Sequence, residues 1–417
     1  MPMQSGNSPA PTPKYDSRVW WIGCLLLLAS AINYMDRQTL SNASVRITEE
    51  FDMSQEQYGN LEAGFGWAFA VGSLFFGFLA DRVSLRWLYA AVLMLWSAMG
   101  FASGFVENYD QLLLCRTLLG FFEAGHWPCG IKTVRAILDS RGRAMGNGVL
   151  QSGTSIGAIV TPLIMYWMLT DDVGSWRFPF QVIGAIGIVW TIAWLYVTRG
   201  DSLRNRTPFE SESSTVWWRV LLDRRMFIIL GVIALINTTF QILRAWLPKF
   251  LQEGRGYDEA QALYFNAVWF GATDVGCLGA GAFAFWLARR GQSVFTARML
   301  TFFACAAMAL ATIAVPWLPA SWVLLAVLMI AGAGSLGVFP IYHAFTQDLS
   351  REHQGKVTGV AGVAAWAFSP LAQRLFGRHI DETHSFDQGI AIAGCLPMIA
   401  CLLLLLFWPR STAARET

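Results

Sequence analysis

Several ionisable side chains lie inside runs apolar enough for lipid. Residues 31–40 read AINYMDRQTL and follow WWIGCLLLLAS, so Asp36 and Arg37 either mark where a helix leaves the membrane or are buried in it. Other apolar runs hold Arg116, Glu123, Lys132, Arg244 and Asp274, with Glu62 near the start of another. An ionised group at bilayer depth is expensive unless it is paired or faces water. Arginine offers a two-pronged fork to a carboxylate, and a membrane-embedded acid suits proton transfer. The chemistry these residue types suit is holding an anion and carrying a proton.

Spacing narrows this. In LLLCRTLLGFFEAGHWPCGIKTVRAIL, Arg116 and Glu123 are seven residues apart, which puts them on nearly one helical face, about 10 Å apart along the axis. His126 follows close to that face, and Pro128 and Gly130 loosen the helix beyond it. Glu123 is too deep to reach an interface, whereas Arg116 either lines a cavity or snorkels outward. In LINTTFQILRAWLPKF, Asn237, Gln241 and Arg244 recur at four and three residues and form one polar stripe. Arg244 is then a third cation facing the cavity, or an outer-leaflet arginine paired with a loop acid. Asp274 has no evident partner, Arg135 is expected to snorkel, and Lys132 stays open between the two roles.

The elements that must position these groups are membrane helices. Of 417 residues, 55% are hydrophobic and 14% charged, against about a quarter charged in soluble proteins. The net charge of +2 and the lack of a basic block exclude nucleic-acid binding. The seven cysteines lie in apolar runs without a C-x-x-C pair, and the five histidines have no metal-ligand spacing, so disulfides, metals and cofactors are not expected. Stretches of about 20 apolar residues predict spans at 19–42, 59–80, 86–105, 109–136, 144–169, 177–198, 226–251, 261–288, 296–315, 320–346, 356–377 and 388–409.

This divides the chain into a disordered cytoplasmic tail (1–17), an N-terminal six-helix bundle (18–198), a linker (199–225), a C-terminal six-helix bundle (226–410) and a short tail (411–417). The Pro/Ser-rich start lacks a signal peptide's pattern, so the first span is read as uncleaved. Lys and Arg concentrate in one set of loops, including Arg82 and Arg86, Arg141 and Arg143, and the central linker. Both termini and the linker are therefore expected in the cytoplasm. The halves echo each other: SRGRAMGNGVLQSG (140–153) precedes the fifth span and REHQGKVTGVAGVAAW (351–366) the eleventh. Duplicated six-helix halves are one transporter plan.

GFLADRVSLR (77–86), between the second and third spans, supplies Gly77, Asp81, Arg82 and Arg86 in the pattern G-x-x-x-D-R-x-G-x-R/K, with Ser84 for the usual Gly. In this the chain resembles the major facilitator superfamily, whose fold would be all-α: twelve transmembrane helices in two six-helix halves. In that family the loop latches the halves in the outward-open state, and here Arg82 and Arg86 would be the cationic partners of Asp81. NYMDRQTLS and RTLLGFFEA further resemble the anion:cation symporter branch, in which bacterial members carry hexuronates and other sugar acids. Tyr34, Asp36, Arg37, Arg116 and Glu123 match its motifs. The resemblance implies that Arg37 and Arg116 hold the substrate carboxylate and that Asp36 and Glu123 carry the coupled proton. It also implies substrate contacts from Tyr34, and from Gln151 and Thr154 in LQSGTSIGAIVTP, with Thr154 and Phe69 standing where relatives often have an amide and a Tyr. Gln241, Arg244 and Trp366, with His343 and Gln347, are further candidates to touch a sugar acid.

The expected protein is a monomer in the bacterial inner membrane, not an enzyme, with a small anion, the proton and lipid as its partners. Its expected activity is proton-coupled symport of a sugar acid such as a hexuronate, aldonate or aldarate. An anion exchanger, or a carrier of short carboxylates or phosphorylated compounds, would keep the arginines without needing the acids to titrate. The topology is testable: reporter fusions at residue 1 and residue 417 should both give cytoplasmic signals, and a periplasmic signal from either would reverse the charge-based orientation.

Overall fold

The computed structural model describes residues 17–139, 142–200, 223–347, 349 and 354–408, with Ala144 and residues 354–358 described by backbone alone. The tails, most of the linker, Arg141 and the start of the second half's 351–366 echo lie outside the described residues. The helices are α1 (Ser17–Asn42), α2 (Ser44–Glu50), α3 (Gln55–Arg82), α4 (Leu85–Ser103), α5 (Tyr109–Glu123), α6 (His126–Ile137), α7 (Arg143–Met168) and α8 (Arg177–Val197). After the linker come α9 (Arg224–Lys249), α10 (Glu259–Arg289), α11 (Val294–Ala309), α12 (Trp322–Gln347), α13 (Gln354–Thr383) and α14 (Asp387–Phe407).

Ten of these stretches are long and apolar enough to cross a membrane. The other two expected spans are the broken α5–α6 rod and the more polar α13. The expected loosening at Pro128 and Gly130 falls instead at Ala124 and Gly125, where α5 ends and α6 begins, and both glycine and proline downstream remain helical. Helix α2 lies in the acidic loop after the first span, which hydropathy alone reads as a connection. A π turn, Phe250–Gly254, extends α9, and a 3-10 turn, Leu310–Trp317, extends α11.

Capping sets the helix starts. Ser54 and Gln57 form a capping box on α3, and Asn108, Asp258 and Ser293 cap α5, α10 and α11 through side-chain oxygens. Small residues set the approaches. At Gly153 and Gly157 of α7 any Cβ would strike the backbone carbonyls of Leu27 and Ala31, so α1 and α7 pack main chain to main chain.

The halves meet along α3 with α13 and along α7 with α10. Their polar contacts concentrate at the end that carries α2. There both carboxylate oxygens of Asp381 accept from the backbone N–H groups of Gln55 and Glu56, each at 2.8 Å. Arg374 binds Glu56 at 2.8 Å, and Gln55 donates to Glu253 at 2.8 Å. Arg46 grips both oxygens of Glu259 at 2.7 and 2.6 Å while donating to the Thr170 and Asp172 carbonyls. The Glu259 carboxylate pushes the Arg46 guanidinium above its ordinary pKa. Toward the opposite end, Gly148 of α7 and Gly359 and Gly362 of α13 face open space. Among the described residues the two halves are bonded together at the α2 end, and these three glycines leave space toward the other.

Gly153→Leu should force α1 and α7 apart and destabilise the protein by about 1–3 kcal/mol, while Gly148→Leu should be tolerated. Thermal unfolding in detergent micelles reads the difference; equal midpoints for the two variants would contradict the packing.

Candidate functional site

The intramembrane charges converge where α1, α3, α5 and α9 meet. Arg37 on α1 donates from Nε to Glu123 Oε2 on α5 at 2.8 Å, and both side chains are buried. Four rings stand around the Arg37 guanidinium, those of Tyr34, Phe65, Phe69 and Trp366, with centroids at 5.5, 5.0, 4.8 and 5.4 Å. Trp366 comes from α13, so the cage draws on both halves. Ring faces favour a cation, and each such contact contributes about 0.5–2 kcal/mol depending on desolvation. The partner of Glu123 is thus Arg37, not Arg116. Seven residues of helix place Arg116 on the right face but too far along the axis to bond.

Arg116 is also fully buried. Its Nη1 donates to the Asp36 backbone carbonyl at 3.3 Å, its guanidinium lies 4.9 Å from the Phe65 ring, and its Nη2 is 3.9 Å from Glu62 Oε1. Glu62 in turn accepts from Arg244 Nη2 at 2.5 Å, across the two halves. Gln241 Oε1 accepts from Arg244 Nε at 2.7 Å and so fixes the fork. Arg244 is therefore paired with an acid on a helix of the opposite half and not with a loop acid. Glu62, which sequence reasoning placed only near the start of a span, is its counter-charge.

Asp36 points elsewhere. Its carboxylate turns toward Gly100 of α4, where a Cβ would collide with Oδ1. Adjacent residues on a helix diverge by about 100°, so Arg37 faces the seam between halves while Asp36 faces the interior of its own half. Behind it His126 is held between Ser30 Oγ at 3.0 Å and Tyr89 OH at 2.9 Å.

The other candidates are spread wider. Thr154 is buried and spends its hydroxyl on the Gln151 carbonyl of its own helix at 2.7 Å, and Gln151 is exposed on the same stripe. Asn237 donates to the Ala365 carbonyl at 2.9 Å, binding α9 to α13. His343 and Gln347 are exposed, as is Arg135. Asp274, expected to lack a partner, accepts from Ser155 of α7 at 2.9 Å. Gln373, not singled out in the sequence, accepts from Trp246 and donates to the Gln241 carbonyl at 3.0 Å.

In the last turn of α3, Asp81 pairs with Lys132 of α6 rather than with Arg82 or Arg86. Arg86 donates to the Leu195 carbonyl at 3.2 Å and lies over the Trp87 ring at 5.0 Å. Gly77 meets nothing. This corrects the expected pairing: both arginines stand close in sequence, but only Lys132 rises to the acid from a neighbouring helix.

Several donors and acceptors at the centre have no hydrogen-bond partner among the described residues: Arg37 Nη2, Asp36 Oδ2, Glu62 Oε1, Arg116 Nε and Nη2, Glu123 Oε1 and Arg244 Nη1. Three guanidinium groups with unused N–H donors, each beside a carboxylate, can donate to an anion's oxygens by exchanging partners. Among the described residues no cluster of His, Cys, Asp and Glu has the makings of a metal site.

The model of the Major Facilitator Superfamily matches residues 26–373. A probable L-galactonate transporter of Escherichia coli K12 is 28% identical over 404 residues, covering 91% of this chain and 86% of its own. The hexuronate transporter of the same strain is 22% identical over 408 residues, covering 92% and 93%. Among solved structures, a bacterial homologue of the human lysosomal transporter Spinster, inward-facing and unoccupied, superposes with a TM-score of 0.79 at 16% identity. That match covers 94% of this chain and 97% of the other.

Breaking the central pair should cost far more than replacing it. Glu123→Ala leaves Arg37 buried and unpaired and should destabilise by about 3–5 kcal/mol, whereas Arg37→Met with Glu123→Leu should recover most of that. A double-mutant cycle from thermal unfolding measures both, and additive losses would refute the pairing.

Proposed function

This chain belongs to the Major Facilitator Superfamily, and we propose that it is a proton-coupled symporter of a sugar acid, working by alternating access. The observation that carries the reading is the buried Arg37–Glu123 pair in its aromatic cage, with Arg116 one layer away. Relatives named for galactonate and hexuronate transport support the substrate class.

In this reading a proton on Glu123 removes the negative partner of Arg37. The guanidinium is then free for a substrate carboxylate, so proton and anion favour each other's binding. Asp36, facing α4, is the second proton-carrying acid. Tyr34, Arg116, Gln241, Arg244 and Trp366 bind the anion and its hydroxyls from the seam, and Gln151 and Thr154 line the way from the open end. The α2 end is periplasmic, both termini are cytoplasmic in the inner membrane, and the protein works as a monomer. The state described, shut at the α2 end, is then inward-facing. The Asp81–Lys132 pair with Arg82 and Arg86 belongs to the cytoplasmic gate, which closes when the halves rock.

Uptake into proteoliposomes tests the reading. An imposed inward proton gradient should drive accumulation of D-galactonate or D-glucuronate by the native protein. Glu123→Gln should bring gradient-driven accumulation down to the level of empty liposomes while exchange of internal for external substrate persists. Uptake that ignores external pH would instead support an anion exchanger, and loss of exchange together with accumulation would remove Glu123 from proton coupling.

A further inference from the structure

We propose that Glu62 is a built-in stand-in for the substrate's carboxylate, which the arriving anion displaces from Arg116 and Arg244, and that this exchange loosens the closure at the α2 end. The inference rests on the anion-transport reading above and adds to it a residue, a competition and a direction of coupling.

Three facts carry it. Glu62 is almost fully buried, yet its two oxygens face two different arginines, Oε2 on Arg244 at 2.5 Å and Oε1 3.9 Å from Arg116. A carboxylate spanning two forks has the shape of a bound acid. Second, both arginines keep N–H groups without a hydrogen bond among the described residues, Nη1 on Arg244 and Nε and Nη2 on Arg116, the last only within ion-pair distance of Glu62, so neither is saturated by it. Third, Glu62–Arg244 joins α3 of one half to α9 of the other and is the innermost rung of a ladder. Tyr58 OH, one turn out, donates to the Ala245 carbonyl at 2.8 Å. Lys249 then donates to Thr48 at 2.6 Å beside Glu253, and Gln55 reaches Glu253 at 2.8 Å.

The energetics give the exchange its direction. Replacing one carboxylate by another on Arg116 and Arg244 leaves the charge balance of the two arginines unchanged. Glu62, once displaced, would be a buried charge without a partner, which is strongly unfavourable in a dry interior. It regains solvation only if the seam above it parts and admits water. An anion arriving from the open end thus favours the conformation open at the α2 end, by its differential interaction with the two states.

The test uses the full-length protein in detergent, with D-galactonate and D-glucuronate as probes read by titration calorimetry. Glu62→Gln removes the competitor and should tighten binding of whichever acid the native protein binds by about tenfold, or 1.4 kcal/mol, while slowing net transport. Glu62→Asp, which keeps the charge but not the reach, should tighten it by less. Unchanged or weaker binding by folded variants overturns the proposal. A native protein silent to both acids would instead overturn the sugar-acid reading and take this inference with it. A readout with Glu62 intact removes dependence on the folding of these variants: Gln55→Cys with Glu253→Cys should form a disulfide, followed by mass spectrometry of the linked peptides. The bound acid should slow its formation, and an unchanged or faster rate overturns the coupling.

Discussion

A charge held away from water must have its opposite within bonding reach, and the centre of this protein is organised around that constraint. Arg37 and Glu123 meet it for each other, and Glu62 meets it for Arg244 while standing near Arg116. No one helix could satisfy it. Four helices from both halves supply the groups, and the Glu62–Arg244 pair builds the relation between halves into the neutralisation of Arg244. A conformational change that separates the halves must re-partner Arg244 or hydrate it, which ties motion to chemistry.

The spans were legible because hydropathy is local. Twenty apolar residues in a row admit one interpretation, and the observed helices fall within a few residues of those expected for most spans. What local reading lacked was partner choice. Arg116 and Glu123 share a face, but sharing a face says nothing of which neighbouring helix arrives at the same height. Arg37, 86 positions away in sequence, is the group that reaches Glu123. The same reason explains Asp81, which takes Lys132 over two adjacent arginines, and Glu62, whose importance depends on a residue in the opposite half. The break between α5 and α6 was displaced from its expected place because proline near a helix start needs no hydrogen bond it cannot make, whereas Ala124 and Gly125 take up the turn.

The aromatic cage answers a different demand. The partner exchange proposed for Arg37 requires that no single partner neutralise it too strongly. Tyr34, Phe65, Phe69 and Trp366 provide a diffuse attraction that does not depend on a single bond direction. They hold the guanidinium in place while leaving its N–H groups to exchange acceptors. Phe65 serves Arg37 and Arg116 alike, so the two cations share a wall.

The grip of Asp381 on the start of α3 has a consequence for how this closure drifts over generations. Its two bonds end on the main-chain N–H groups of residues 55 and 56, which every amino acid but proline supplies. Side chains at those two positions can therefore vary without losing the clasp, while nearly all the selective pressure falls on one carboxylate at the far end of α13. That clasp is mutationally lopsided, tolerant on one half and brittle on the other, unlike the side-chain contacts of Gln55 and Glu56 beside it.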